Sequence, residues 1–130
     1  MRSPRSRADH GAAVVDFVLV SLVLVPLVLG LVQVALVLHV RNTLTAAATE
    51  GARYAAAIDR GPEDGVARAR AQISEAIADR FAGEVDGRDV TLDGVPTVEI
   101  RVHATVPPLG LWGPGVDLEV EGHAVREEVQ

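Results

Sequence analysis

The chain has 130 residues, a formal net charge of −6 and no cysteine. This length allows one small domain with an appendage. The negative charge argues against nucleic acid as a partner, because phosphate binding needs a basic surface. Without cysteine there is no disulfide framework. Hydrophobic residues make up 48% of the chain, and their longest nearly continuous block lies near the start.

That block, residues 17–38, is almost wholly apolar, and only Ser21 and Gln33 in it have polar side chains. As a helix these 22 residues would extend about 33 Å. The hydrocarbon core of a bilayer is about 30 Å thick. The block therefore predicts a transmembrane span.

The flanking charges predict the orientation of this span. Arg2, Arg5 and Arg7 precede it, and basic residues next to a span stay on the cytoplasmic side. We therefore expect a single-pass cell membrane protein with a cytoplasmic N-terminus and an extracytoplasmic C-terminal part. A secretory signal peptide is the competing interpretation. It fits poorly, because the apolar core of a signal peptide is only about 7–15 residues long and ends at a small-residue cleavage site.

Two helix-perturbing residues, Pro26 and Gly30, lie one turn apart inside the span. Proline removes an amide donor and crowds the preceding turn, which predicts a kink there. The alternative is that both residues are merely common in membrane helices.

The helix is predicted to continue to residue 58, where Asp59-Arg60-Gly61-Pro62 breaks it. Its second half has small residues on one face, which permits close approach of another element. The residues of this face are Leu44, Ala47 or Ala48, Gly51, Ala55 and Ile58.

Residues 59–130 predict a small α+β domain. Val66, Ile73, Ile77 and Phe81 recur at helical spacing and indicate a second, amphipathic helix over 63–81. Three strands follow: 90–92 (closed off by Pro96), 97–106, and 116 to about 125, with Trp112 in the Gly/Pro loop between the last two and a tail expected to fray. In 97–106, even-numbered residues would face the core and odd-numbered residues water, as in an antiparallel sheet.

No catalytic or metal-binding pattern emerges from the sequence. His10, His39, His103 and His123 lack ligand spacing with one another. His103 and His123 would lie on the wet faces of strands that pair, so a zinc site built on them is the remaining route to an enzyme. We predict no catalytic residue, no metal and no cofactor.

Asp16 stands at the start of the apolar helix, where an unpaired carboxylate is costly if it is drawn into an apolar assembly. A free amino terminus on a neighbouring chain would be a suitable partner. Cleavage between Gly11 and Ala12 would create one and make Asp16 the fifth residue. The alternative is an interfacial acid stabilised by the helix dipole.

Gly11-Ala12-Ala13-Val14-Val15-Asp16-Phe17 resembles the class III signal of type IV pilin-like proteins, although that family usually has Glu where this chain has Asp16. The segments 41–45 and 50–56, with the strand-loop-strand end of the chain, are similar to the TadE-like family of the tight-adherence (Flp) pilus system. The division implied is a basic cytoplasmic leader (1–11), an N-terminal helix (12–58) and an extracytoplasmic domain (59–130).

The resemblance implies a pilin-like minor subunit, or pseudopilin, that helps to assemble a Flp pilus. Its implied partners are a prepilin peptidase, other pilin-like subunits, the assembly machinery and the membrane. The chain would then be a substrate and not an enzyme. The alternative function is an unprocessed single-pass anchor that presents a small extracytoplasmic binding module.

Overall fold

The computed structural model describes residues 6–109 and 113–127, with side chains from residue 11 onward. The elements along the chain are helix α1 (Ser6–Ala56), helix α2 (Pro62–Ala76), a short 3-10 turn (Asp79–Phe81) and strands β1 (Glu84–Leu92), β2 (Val95–Val106) and β3 (Val116–Val125). Together they confirm the predicted α+β class. Trp112 lies outside the described residues.

Helix α1 begins at Ser6, within the segment 1–11 that the sequence analysis assigned to the leader. The helix ends at Ala56, and Asp59, with φ of 64°, takes the left-handed conformation in the connection that follows. Its neighbour Ile58, expected on the packed face, is instead 49% exposed.

Helix α2 is shorter than the periodicity predicted. It begins at Pro62, where proline is favoured in the first turn. The side chain of Asp64 accepts a hydrogen bond from the amide of Gly61 at 2.9 Å. The helix ends at Ala76, and the 3-10 turn places the buried side chain of Phe81. The predicted extension to residue 81 was therefore wrong in conformation, although Phe81 does reach the core.

The sheet is antiparallel with order β1-β2-β3. Asp93 and Gly94, with φ of 52° and 82°, make the tight β1–β2 connection, as Asp-Gly pairs favour. Strand β1 is much longer than the predicted 90–92, because Gly87 continues the ladder opposite Ile100. Pro96 does not close the strand. It lies within β2, opposite Thr91 and beyond the last residue of β3, where no third strand needs its missing amide.

Residues 36–130 form a compact unit whose core lies between the inner face of the sheet and the small-residue part of α1. Leu44, Ala47, Ala48 and Ala55 are fully buried. Gly122 of β3 is a point of closest approach, because a Cβ there would overlap the backbone of Ala48. Small residues in the helix and a glycine in the strand therefore set the distance between them.

Arg126 and Glu127, the described residues of the tail that was expected to fray, are held by hydrogen bonds, and residues 128–130 lie outside the described residues. The amide of Arg126 donates to the carbonyl of Pro96 at 3.0 Å, and the amide of Glu127 donates to the carbonyl of Ala56 at 2.9 Å. The guanidinium of Arg126 contacts Asp89 and donates to the carbonyl of Arg60 at 3.1 Å. These bonds join the end of β3 to the end of α1, to the α1–α2 connection and to the other two strands.

Residues up to 35 form the second unit, whose described residues, 6–35, are the first part of α1. Its large apolar side chains are exposed; Phe17, Leu22 and Leu31 are exposed to 73%, 69% and 64%. An exposed apolar surface of this size is unfavourable in water and indicates an apolar environment.

Candidate functional site

The predicted processing residues lie near the beginning of α1. Gly11, Ala12 and Asp16 are all exposed, and a Cβ added to Gly11 would meet nothing within 4 Å. The backbone around the proposed Gly11–Ala12 bond is helical. The fold thus leaves this stretch accessible, and cleavage there stays a prediction.

The predicted kink residues lie in the middle of the apolar part of α1. The helix continues through both Pro26 and Gly30, so the functional kink also stays a prediction. The apolar window of α1 is unburied and is long and apolar enough to cross a membrane. The helix can therefore act as a membrane anchor.

The two strand histidines are not brought together. In the β2–β3 ladder His103 is opposite Glu119, and His123 is opposite Glu99. The two positions are four residues apart along the ladder, which corresponds to about 13 Å. A zinc site that uses both histidines is therefore inconsistent with the register.

The outer face of the sheet contains a feature that the alternation rule missed. Glu99, expected to face water, has a side chain only 7% exposed. It accepts a hydrogen bond from Nε of Arg88 at 2.8 Å, lies 3.3 Å from Arg101, and has Oε2 at 3.1 Å from Nε2 of His123. Side chains of all three strands therefore converge on one carboxylate.

The environment of Glu99 sets its protonation. Burial raises the pKa of its carboxyl, but the hydrogen bonds with His123 and Arg88 and the charges of Arg88 and Arg101 outweigh that effect, so the pKa is lowered from its ordinary 4.5. The hydrogen bond with Glu121 raises the pKa of Arg101. Glu99 and Arg101 are thus both held in their charged forms.

Glu99, Glu121 and His123 also offer three potential metal-ligand atoms within 4.8 Å of one another. Both carboxylates are already engaged by guanidinium groups, Glu99 by Arg88 and Arg101, and Glu121 by Arg101. These contacts already supply the positive charge that a metal ion would otherwise provide. We therefore interpret the cluster as an ion-pair network that joins the three strands.

The sequence did carry a signal for this network. Glu99 stands between Arg88 and His123 across the sheet, and the next outward row is Asp86, Arg101 and Glu121. Recognising these rows requires the strand register, because opposite charges that lie side by side in a sheet are distant in the sequence. The short version of β1 predicted from the sequence omitted Arg88, and with it the partner that β1 supplies to Glu99.

Comparison with known proteins locates the similarity in α1. The family model described as TadE-like protein matches residues 11–53. No curated protein and no solved structure matches the chain. The match includes Gly11, Asp16, the apolar part of α1 and most of its small-residue part, and it confirms the resemblance seen in the sequence. Residues 11–53 are therefore similar to the TadE-like family.

Proposed function

We propose that this chain is a pilin-like minor subunit, or pseudopilin, that takes part in the assembly of a Flp-type pilus. The observation that carries the proposal is the position of the family match, which begins at Gly11 and continues through the exposed apolar helix. In this proposal, residues 17–38 anchor the chain in the cell membrane. The N-terminus is cytoplasmic, and the unit formed by the sheet and α2 is extracytoplasmic.

The proposal includes processing by a prepilin peptidase between Gly11 and Ala12. Both residues are exposed, and glycine offers no side chain that would obstruct a protease subsite. The cut would remove the basic leader and leave a new amino terminus on Ala12. Asp16 of a neighbouring subunit would pair with that terminus, because an apolar assembly penalises an uncompensated carboxylate.

In this function the chain is a substrate and a structural component, and not an enzyme. The charged groups of the outer sheet face support this assignment, because Glu99, Arg101 and Glu121 pair with one another. The proposed partners are the prepilin peptidase, other pilin-like subunits and the assembly machinery. No cofactor is required for this role.

The test is N-terminal sequencing of the full chain extracted from membranes of cells with and without the peptidase. We expect a chain that starts at Ala12 only in the presence of the peptidase. Gly11→Val is expected to abolish the cut, whereas Ala13→Val, a matched enlargement two residues away, leaves it intact.

A chain that keeps its leader in cells that contain the peptidase would contradict the processing proposal. If Gly11→Val then also left localisation and piliation unchanged, the result would favour an unprocessed anchor that presents a binding module. Asp16→Ala is expected to be more harmful to pilus assembly than to membrane insertion, because the carboxylate acts between subunits and the apolar helix inserts by itself.

A further inference from the structure

The compact unit of residues 36–130 exposes apolar side chains at both ends of its sheet. At the β1–β2 turn, Leu92 and Val95 are exposed to 44% and 42%. At the opposite end, where β2 leads into β3, Leu109 and Val116 are exposed to 46% and 39%. We call the first pair the hairpin end and the second pair the Leu109 end. The two pairs have the same residue types and nearly the same exposure, so a difference in behaviour between them has to come from their surroundings.

The Leu109 end is level with the first residues of α1 in this unit. Gly122 of β3 lies against the backbone of Ala48, and the amide of Glu127 donates to the carbonyl of Ala56, so β3 and α1 run in the same direction. Val116 precedes Gly122 by six residues, which is about 20 Å of strand. The same distance corresponds to about 13 residues of helix, and this brings Val116 level with the beginning of the unit.

A groove between α1 and β3 supports this alignment. Arg41 and Thr45 of α1 line the groove together with Glu119 and Glu121 of β3. Val116 precedes Glu119 by three residues. Because the helix and the strand run in the same direction, Val116 lies beyond Arg41 on the side of the predicted span.

The last turn of the predicted span is already part of the folded unit. The span is predicted to end at Leu38, but Leu36 and Val37 pack against the core of the unit, and Val40 is 1% exposed. The helix continues through this turn without a break, so no linker separates the span from the domain. With the span in a bilayer, the parts of the unit that are level with this turn lie at the bilayer surface.

The chain is apolar where it reaches this level. Residues 107–116 include no charged residue. Asp117, the next residue, is directed to the outer face of the sheet, where its carboxylate accepts a hydrogen bond from Thr105 at 2.7 Å. The side chains of Leu109 and Val116 form no hydrogen bonds, so their free energy depends on how much of their apolar area leaves water. The interfacial region of a bilayer removes such area from water.

We propose that the Leu109 end is a lipid contact, in which the side chains of Leu109 and Val116 are inserted into the interfacial region of the bilayer. The inference rests on the proposed function only for the membrane anchor. Phospholipid is the partner, because this end of the unit is level with the last turn of the span and its exposed side chains are apolar. Two contacts with the bilayer, the span and the Leu109 end, restrict the tilt of the domain more than the span alone does.

The test uses the unprocessed full-length chain in phosphatidylcholine vesicles at a low ratio of protein to lipid. The chain has no native cysteine, so single cysteines can be introduced and labelled with an environment-sensitive fluorophore. Leu109→Cys and Val116→Cys report on the Leu109 end, and Leu92→Cys and Val95→Cys are the matched controls at the hairpin end. Amide hydrogen exchange of β2 verifies the fold of each labelled variant.

A phospholipid with a nitroxide near the headgroup end of its acyl chain serves as the quencher. We expect it to quench the label at positions 109 and 116 about twofold or more over positions 92 and 95, because interfacial side chains lie about 5–10 Å into the headgroup–acyl boundary. In the Val116→Cys background, Leu109→Asp is expected to reduce the quenching, since a carboxylate resists transfer from water. Leu92→Asp is the matched control and is expected to leave it unchanged. High salt is expected to have no effect, because screening acts on charges.

Equal quenching at the two ends of the sheet would overturn the proposal. Quenching that high salt abolishes would also overturn it, because the contact would then depend on charge. Protection of position 116 from a water-soluble maleimide without quenching by the nitroxide lipid would show that protein covers this end, and would overturn it as well. A chain that carbonate releases from the vesicles would contradict the anchor, and hence the proposed function. A chain that stays inserted with both ends unquenched would contradict only the lipid contact.

Discussion

The two parts of helix α1 have opposite relations between residue size and burial. In the first part the large side chains of valine, leucine and phenylalanine are exposed, with Leu24 at 51% and Phe17 at 73%. In the second part the buried residues are mostly alanines, and Ala47, Ala48 and Ala52 have no exposed surface. One continuous helix thus carries two surfaces made for different surroundings.

This difference shows that the size of the apolar side chains depends on what surrounds the helix, and not on hydrophobicity alone. A bilayer accepts large apolar side chains of any shape, because lipid adapts to the helix. A packed sheet does not adapt, and it approaches a helix closely only where side chains are small. Gly122 meeting the backbone of Ala48 is the clearest case.

The largest effect is expected from a charge placed in the first part of α1. Leu24→Arg would put a guanidinium within about one turn of the centre of the span, where the cost approaches the value of about 2.5–3.5 kcal/mol for the centre itself. Ala46→Arg puts the same group at an exposed position of the second part and is expected to be neutral. Carbonate extraction of membranes measures both. Equal retention of the two variants would contradict the assignment of a bilayer to the first part only.

The next effect tests the close packing of the second part. In Gly122→Val the new side chain would overlap the Ala48 backbone, and overpacking of this kind costs about 1–3 kcal/mol. Amide hydrogen exchange of β2 and β3 in the detergent-solubilised full chain is expected to accelerate. Gly83→Ala is the control, because its Cβ would lie 3.9 Å from the nearest atom, the carbonyl oxygen of Arg80, and unchanged exchange is expected.

A smaller effect is expected from the network around Glu99. Glu99→Gln keeps the size of the side chain and removes its charge, and we expect a loss of about 1 kcal/mol. This value is below the range for hydrogen bonds to charged groups, because Arg88 is more than half exposed to solvent. Denaturant unfolding of the solubilised chain measures it. A destabilisation as large as that of Gly122→Val in the same measurement would contradict the smaller contribution assigned to the network.

The lowered pKa of Glu99 also gives a pH dependence of stability. Because the folded pKa is below the unfolded value, the stabilisation is complete above pH 4.5 and is lost as the pH falls through the folded pKa. Glu99→Gln is expected to reduce this acid dependence. If the variant loses stability at acid pH as the original chain does, other carboxyl groups cause the acid dependence.

The smallest effect concerns Tyr54, whose ring lies beneath the guanidinium of Arg60 at 3.7 Å from its centroid. Tyr54→Leu keeps an apolar side chain and is expected to cost about 0.5–1 kcal/mol, the range for an exposed cation–π contact. The same unfolding measurement applies. Repeating it in the Arg60→Gln background gives a double-mutant cycle, and additive losses would show that the two side chains do not interact.

Local patterns predicted the elements well where one signal dominated. The apolar run fixed the first part of α1, the small-residue spacing located the packed surface of its second part, and the alternation in 97–106 identified the central strand. Asp93-Gly94 likewise forms the hairpin turn that such a pair favours by local conformation alone. Each of these signals is contained in neighbouring residues and depends little on distant contacts.

The errors occurred where distant contacts decide. Gly87 and its polar neighbours are typical of a loop, but pairing with β2 holds them in β1. The side chain of Glu99 points to the outer face of the sheet, as the alternation predicts. It is nevertheless buried, because Arg88 and His123 cover it from both neighbouring strands. The candidate processing site required no long-range information, because Gly11 and Asp16 lie within one local segment.

The most direct test of the contrast within α1 is water accessibility. Leu24→Cys and Ala46→Cys introduce a single thiol at two positions that are both exposed in the structure. A water-soluble maleimide is applied to membranes opened on both sides. We expect rapid labelling at position 46, which water reaches, and labelling at position 24 only after denaturation in detergent. Equal labelling of the two positions before detergent is added would contradict the assignment of the first part of α1 to the bilayer.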